Sequence, residues 1–359
     1  FPTRRSSDLI RKNTNRLWEN NMTFKSNDPA NTAEQKETSR VSRRRPKTSF
    51  ERSFKTLLEQ MQAEHYHGSV LFTGEAGIGK AQPLDAKILT PTGWTTMGNI
   101  KIGDEVITPS GKASKVIGIY PQGEKDIFTV TFHDGSSTQC CLEHLWDAWY
   151  TPKIGKKFKK GTTSCKQVKE VLQTSDILKL INKPRNNNVS IDLIDPVPYP
   201  TANLPIDPYV IGCLLGDGSL SDCSNKGSVR LTSADWELVQ MFESRLPKTV
   251  RLVQLANIEY NISKTAEDAI NGTKNQIKQD LKLLNLMGKK SNDKFIPEIY
   301  KTASIEQRWE LVRGLMDTDG SVTKDGRCSF TTISSQLMQD MREVLWSLGC
   351  TASVTIRHP

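Results

Sequence analysis

Long apolar runs are missing from this 359-residue chain, and no charged, then apolar leader is legible in it. A membrane span and a secretory route are therefore not expected. The seven cysteines form no CxxC pair and no His/Cys cluster at zinc spacing, so neither a disulfide framework nor a structural zinc is indicated. Cys140 and Cys141 are adjacent and read as the two faces of one strand. The expectation is a reduced, cytoplasmic protein. Bulk basic character is also lacking once position is considered. The net charge is +9, yet residues 1–50 hold 12 Lys/Arg and 5 Asp/Glu. The other 309 residues are close to neutral, so total charge does not argue for nucleic acid. A stripe of Lys153, Lys156, Lys157, Lys159 and Lys160 suits either phosphate tracking or a solvated loop.

One missing residue is more telling. Gly74, Gly79 and Lys80 follow the apolar strand Val70-Leu71-Phe72 at the GxxxxGK[ST] spacing of a phosphate-binding loop. There a serine or threonine hydroxyl should come next to hold magnesium, and a helix should begin. Ala81 stands in its place. Pro83, Pro91 and Gly93 then punctuate a short β-pattern, which rules out that helix. Gly74, Gly79 and Lys80 remain an ATP–magnesium site in prospect, interrupted by something else.

From Ala81 onward the text "AQPLDAKILTPTGWTTMGNIKIGDEVITPSGK" resembles the first block of inteins, protein-splicing elements of the Hint type. "TQCCLEHLWDAW" is similar to the block whose histidine sits against the upstream splice junction. The resemblance implies that Lys80-Ala81 is that junction. It implies that His144 protonates or hydrogen-bonds the departing amide nitrogen. Two departures stand out: Ala81 replaces the usual Cys or Ser nucleophile, and Cys141 replaces a threonine three residues before the histidine. Trp146, two residues after His144, fits a subclass that starts without a nucleophile, although a core tryptophan is the alternative. On that pathway the nucleophile comes from beyond residue 359.

A second module carries an internal repeat. "YVIGCLLGDGSL" (209–220) and "LVRGLMDTDGSV" (311–322) are copies of one motif, each an apolar helix running into Asp-Gly-Ser, and each is followed by a strand and another helix. Gly212 and Gly216 share one helical face, as do Gly314 and Thr318, so two helices can meet backbone to backbone. Asp217 and Asp319 would then lie side by side, and a divalent cation would relieve their repulsion. The pair resembles the LAGLIDADG motifs of homing endonucleases. That resemblance implies Mg2+ at Asp217 and Asp319, double-stranded DNA as substrate at the copy of the host gene lacking the insertion, and a monomer containing a pseudo-dimer. "KKSNDKFIPEIY" is similar to the block supplying a basic residue, which points to Lys294. A surface lysine before a Pro297 turn is the other reading. Asp317, two residues before Asp319, is read as a cap or salt-bridge residue.

The expected organisation is multidomain. A polar, basic head occupies 1–48, of which 1–9 read like a translated sequencing adapter. A host P-loop ATPase fragment follows at 49–80. An all-β Hint region covers 81–150, and an insertion and linker with one helix over 167–181 covers 151–205. An α+β LAGLIDADG endonuclease with a pseudo-two-fold αββαββα repeat fills 206–359. The alternative is a P-loop ATPase or helicase loader with an inactive LAGLIDADG DNA-binding domain, which loss of either acid would favour. Both acids are present.

Overall fold

The structure, a computed structural model, describes residues 82–151, 167–182, 189–221, 228–323 and 327–356, with the backbone of 69–71. Gly74, Gly79, Lys80, Ala81, the 153–160 lysine stripe and the head lie outside these. The chain divides into two compact units, one within 69–194 together with 351–356, the other 195–350.

The first unit is built of short strands, because turn residues recur every few positions. β1 (Ser69–Leu71), β2 (Lys87–Thr90), β3 (Gly93–Thr96), β4 (Glu105–Ile107), β5 (Ala113–Lys115), β6 (Gly118–Tyr120), β7 (Phe128–Thr131), β8 (Ser137–Cys140) and β9 (Leu145–Tyr150) follow one another with one 3-10 turn. Pairing is antiparallel throughout: β2 with β3, β4 with β5, β7 with β8. Gly135 closes the β7–β8 turn at φ 79, where a side chain would be strained. Asp134 accepts from the Ser136 amide at 2.9 Å. β1 is the apolar strand expected to belong to the host nucleotide site. Its partner is β6, antiparallel, with Val70 opposite Ile119. A strand must pair its backbone groups, and within this chain β6 does so.

Residues 168–191, read as insertion and linker, contribute structure instead. β10 (Val168–Gln173) and β11 (Val189–Ile191) flank β9 on either side, and α1 (Thr174–Ile181) begins seven residues later than the expected helix. The lysine-rich composition concealed a strand whose Val171 and Leu172 pair with Asp147 and Trp146. Val130, Cys140, Trp146, Ala148, Ile177 and Val189 form one apolar cluster, and Ile100, Val106 and Val116 another.

The second unit starts at Asp195, ahead of the expected boundary at 206. Its elements are α2 (Pro208–Gly216), β12 (Gly218–Ser221), β13 (Ser228–Thr232), α3 (Trp236–Ser244), β14 (Val250–Ala256), β15 (Glu259–Lys264), α4 (Ala266–Ile270), α5 (Gln276–Leu283), α6 (Glu298–Lys301), α7 (Ile305–Thr318), β16 (Gly320–Val322), β17 (Cys328–Phe330) and α8 (Ser335–Ser347). α2 and α7 are each followed by a hairpin and a helix. The first hairpin grows to a four-stranded sheet of order β12-β13-β15-β14, while β16 and β17 stand as a pair.

Both central helices carry explicit start signals. Asp207 accepts from the Tyr209 amide at 2.9 Å ahead of Pro208, and Ser304 with Gln307 forms a capping box. α2 is apolar all round and buried from Tyr209 to Leu215, as a helix inside a core should be. Leu214, Leu231, Phe242, Ile262, Leu311 and Val344 pack in the same cluster.

A buried arginine fastens the segment leading into α2. Arg308, on α7, has no exposed surface. Its guanidinium donates to the Ala303 carbonyl at 2.9 Å, the Ser347 carbonyl at 2.8 Å and the Val197 carbonyl, and it lies 4.9 Å from the Tyr199 ring. Burial pulls its pKa down to about 10, partly offset by Tyr199. Arg308→Ala would remove three buried charge-assisted hydrogen bonds, although the Ser347 and Val197 carbonyls keep the Val197 and Tyr199 amides as donors, a loss of about 3 kcal/mol. Urea unfolding followed by tryptophan fluorescence should show a lower midpoint, and an unchanged midpoint would contradict this role.

Candidate functional site

The site in the second unit begins with two glycines. A methyl built on Gly212 would strike the Leu311 carbonyl oxygen and come 3.0 Å from the Gly314 Cα. One built on Gly314 would strike the Tyr209 carbonyl and come 2.9 Å from the Cys213 nitrogen. Helices α2 and α7 therefore touch backbone to backbone. One turn further on, a methyl on Gly216 would strike the Thr318 hydroxyl and come 3.4 Å from an Asp319 carboxylate oxygen. Thr318 turns its hydroxyl back on the Gly314 and Leu315 carbonyls, each at 3.0 Å. It thereby offers a compact surface at a position where a freer polar chain would wedge the helices apart.

Asp217 and Asp319 are the C-caps of the two helices, with nearly equal backbone angles (φ −86, ψ 11 and φ −94, ψ 8). Each carbonyl accepts from the strand that returns past it, Asp217 from Thr232 at 3.3 Å and Asp319 from Thr331 at 3.2 Å. Burial raises the pKa of both carboxyls. The Asp217 charge raises Asp319 further, and Lys294 opposes the rise in both. These acids thus share one electrostatic environment.

Lys294 is not a surface lysine before a turn; it is 3% exposed. Its ammonium donates to three carbonyls, two at the end of α2 and one at the start of β12: Leu214 at 3.0 Å, Gly216 at 2.8 Å and Gly218 at 2.8 Å. Those are all the donors it has. Burial lowers its pKa to about 8, although Asp319 and Asp217 pull the other way. The lysine caps a helix C-terminus while neutralising part of the acid pair.

The charge balance decides what the site can hold. Two helix C-termini contribute roughly −0.5 each, and two carboxylates bring −2, against one ammonium already spent on carbonyls. Hard oxygen donors around uncompensated negative charge suit a divalent cation such as Mg2+. No group of three or more His, Cys, Asp or Glu side chains suitable for a metal occurs among the described residues. A cation here would rely on the two aspartates, helix-end carbonyls and water. Asp317, two residues earlier, faces the other way, accepting from the Tyr209 hydroxyl at 3.1 Å and lying 3.7 Å from the Arg313 Nε.

In the first unit His144 is 8% exposed and Trp146 9% exposed, their rings 4.9 Å apart edge to face at 61°. The His144 amide donates to the Cys141 carbonyl at 3.1 Å. The Trp146 indole donates to the Thr174 hydroxyl at 2.9 Å. Lys80 and Ala81 lie outside the described residues, so their junction takes no part in this geometry. The sequence reading passed over Thr174, since it falls in the segment taken for a linker.

Comparison with known proteins adds relatives to this geometry. Residues 306–359 match the family described as LAGLIDADG-like domain. The chain is 26% identical over 289 residues to the replicative DNA helicase DnaB of Mycobacterium intracellulare, covering 78% of this chain and 44% of that protein. It is 27% identical over 109 residues to the DnaB of Mycobacterium leprae (strain TN), covering 30% and 18%. The chain thus spans less than half the length of the curated relatives it matches. Among solved structures, the Msm DnaB1 intein splicing domain bound with zinc is 32% identical over 19% of this chain and 54% of that one, at a TM-score of 0.18. The gp41-1 intein is 22% identical over 32% and 87%, at a TM-score of 0.19. No described helix is long and apolar enough to cross a membrane.

Two substitutions should move stability in opposite directions. Gly314→Val drives a branched side chain into backbone and should cost about 3 kcal/mol. Asp319→Asn should raise the melting temperature of the metal-free protein at neutral pH. The folded carboxyl titrates above its unfolded value, so its stabilising contribution is complete only at acid pH and is lost as pH rises through the folded pKa. The gain from asparagine should accordingly vanish below the carboxylate range. Melting curves in EDTA across pH 3–8, taken as a rough bracket of that range, read both effects; no gain at pH 7 would refute the second.

Proposed function

We propose how an intein with a LAGLIDADG-like domain in a DnaB-type ATPase, the arrangement with which the family match and the helicase relatives agree, uses the two sites described above. The second unit is a site-specific endonuclease for double-stranded DNA, and the first is the splicing domain that removes the element from its host. The observation that carries the nuclease reading is the meeting of Asp217 and Asp319 across the Gly212–Gly314 contact.

Each half supplies one acid from a helix end followed by a hairpin, and the matched caps support a pseudo-two-fold arrangement. Asp217 and Asp319 would hold Mg2+, which when bound lowers the pKa of water and stabilises charge on a departing phosphodiester oxygen. The residues do the rest. Gly212, Gly216, Gly314 and Thr318 fix the separation of the acids. Lys294 keeps the α2 end folded against its own dipole and limits the charge that DNA must approach. Exposed positions of the strands after each helix, such as Ser219 and Ser321, and the partly buried Arg230, which pairs with Glu259 at 2.8 Å, suit groove contacts.

In the splicing unit His144 donates a proton or hydrogen bond to the leaving amide nitrogen at Lys80-Ala81, which makes the junction carbonyl easier to attack. Because Ala81 has no nucleophile, attack comes from another residue. The ATP site of Gly74, Gly79 and Lys80 becomes continuous with its serine or threonine only after excision.

Incubating the protein and Mg2+ with DNA of the uninterrupted host gene should give double-strand cuts. Asp217→Asn and Asp319→Asn should each reduce cutting by at least about 10²-fold, while His144→Ala leaves cutting intact and blocks conversion of full-length precursor to ligated host. Binding without cutting by the unaltered protein would favour the inactive DNA-binding alternative.

A further inference from the structure

We propose that Thr174 is the positioning residue of the splicing site, holding both His144 and Trp146 from the first residue of α1. This rests on the splicing reading above. Four contacts converge on Thr174, which is 3% exposed. Its amide donates to the His144 carbonyl at 2.9 Å. Its hydroxyl lies 3.3 Å from the same carbonyl as a donor and accepts from the Trp146 indole at 2.9 Å. The Cys140 Sγ lies 3.4 Å from that oxygen.

A hydroxyl has one proton to give and two lone pairs to accept with. Donating to His144, accepting from Trp146 and accepting from the Cys140 thiol uses all three. Burial raises Cys140 to about 11, so it stays a thiol with a proton to donate. The neighbouring Ser175 amide donates to the Leu142 carbonyl at 3.0 Å, so the start of α1 is tied to both sides of Glu143. Because the Trp146 ring stands edge to face against the His144 ring, fixing the indole fixes one wall against the imidazole. Valine at 174 would keep the shape and the amide contact but remove the hydroxyl, and with it the hydrogen bond that holds the indole against the imidazole.

The test uses the full-length precursor, with precursor and ligated host measured over time and across pH. Thr174→Val should slow splicing by roughly tenfold to a hundredfold and displace the pH–rate profile, and Thr174→Ser should restore both. Trp146→Phe, which removes the other end of the same hydrogen bond, should displace the profile in the same way. That second variant carries the test if Thr174→Val does not fold. A wild-type rate and profile in Thr174→Val, or a wild-type profile in Trp146→Phe, overturns the proposal. Should His144→Ala splice normally, the splicing reading itself fails; should His144→Ala be inactive while Thr174→Val is normal, only the role of Thr174 fails.

Discussion

The backbone contact between Gly212 and Gly314 is the constraint from which the second unit follows. Side chains ordinarily keep helix axes 8–10 Å apart. Removing them at the crossing lets two helix ends arrive together, each with its terminal carbonyls and an aspartate cap. The hairpins must then leave the same region in step, and the matched hydrogen bonds from Thr232 and Thr331 show that they do. A larger residue at either glycine would separate the acids before it altered anything else about them.

That convergence is electrostatically unfavourable, which accounts for its surroundings. Burial raises the pKa of both carboxyls, and the Asp217 charge raises Asp319 further, which is the cost of bringing two acids and two negative helix ends together. The offset is hydrophobic. α2 is buried on every side, so the site is carried by one of the most firmly packed elements of the fold rather than by a loop. Lys294 offsets a further part, but its ammonium is committed to three carbonyls, and its own pKa is lowered in consequence of burial. What remains uncompensated is negative charge open to a cation, which is the condition a metal-dependent nuclease requires before substrate arrives.

Much of this was legible in the sequence, for a physical reason. Small residues four apart and an aspartate before glycine are visible as letters, and their repetition about a hundred residues later fixes that two helices pair. The turn glycines likewise announced the short strands of the first unit. What could not be read is which partner a polar group finds across the fold. Lys294 could be read either as a site residue or as a surface charge, because its three carbonyls lie some eighty residues earlier in the chain. Arg308 reaches back 111 positions to Val197. Val168–Gln173 lay in lysine-rich text, and only pairing with β9 makes it a strand. The host strand Val70-Leu71, expected at a nucleotide site, pairs with β6. Pairing partners, unlike periodicity, leave no local mark.

The two sites solve opposite problems, and this bears on how they can fail. The acid pair concentrates charge, so on the nuclease proposal it depends on ionisation, on a cation and on a separation set by glycine. The His144 site concentrates neutral donors and acceptors: a threonine hydroxyl, an indole N–H and a thiol kept protonated by burial, each satisfied by the next. A network of that kind tolerates changes of ionic strength that would screen exposed charges, but loss of the one hydroxyl removes its hydrogen bonds to the indole and the thiol at once. Loss of either carboxylate should therefore spare the fold and, on that proposal, abolish cutting. In the neutral site the same atoms set both the packing and the orientation of the imidazole, so geometry and stability there cannot be separated by moving charge. Only an isosteric change at the hydroxyl, which leaves volume alone, distinguishes them.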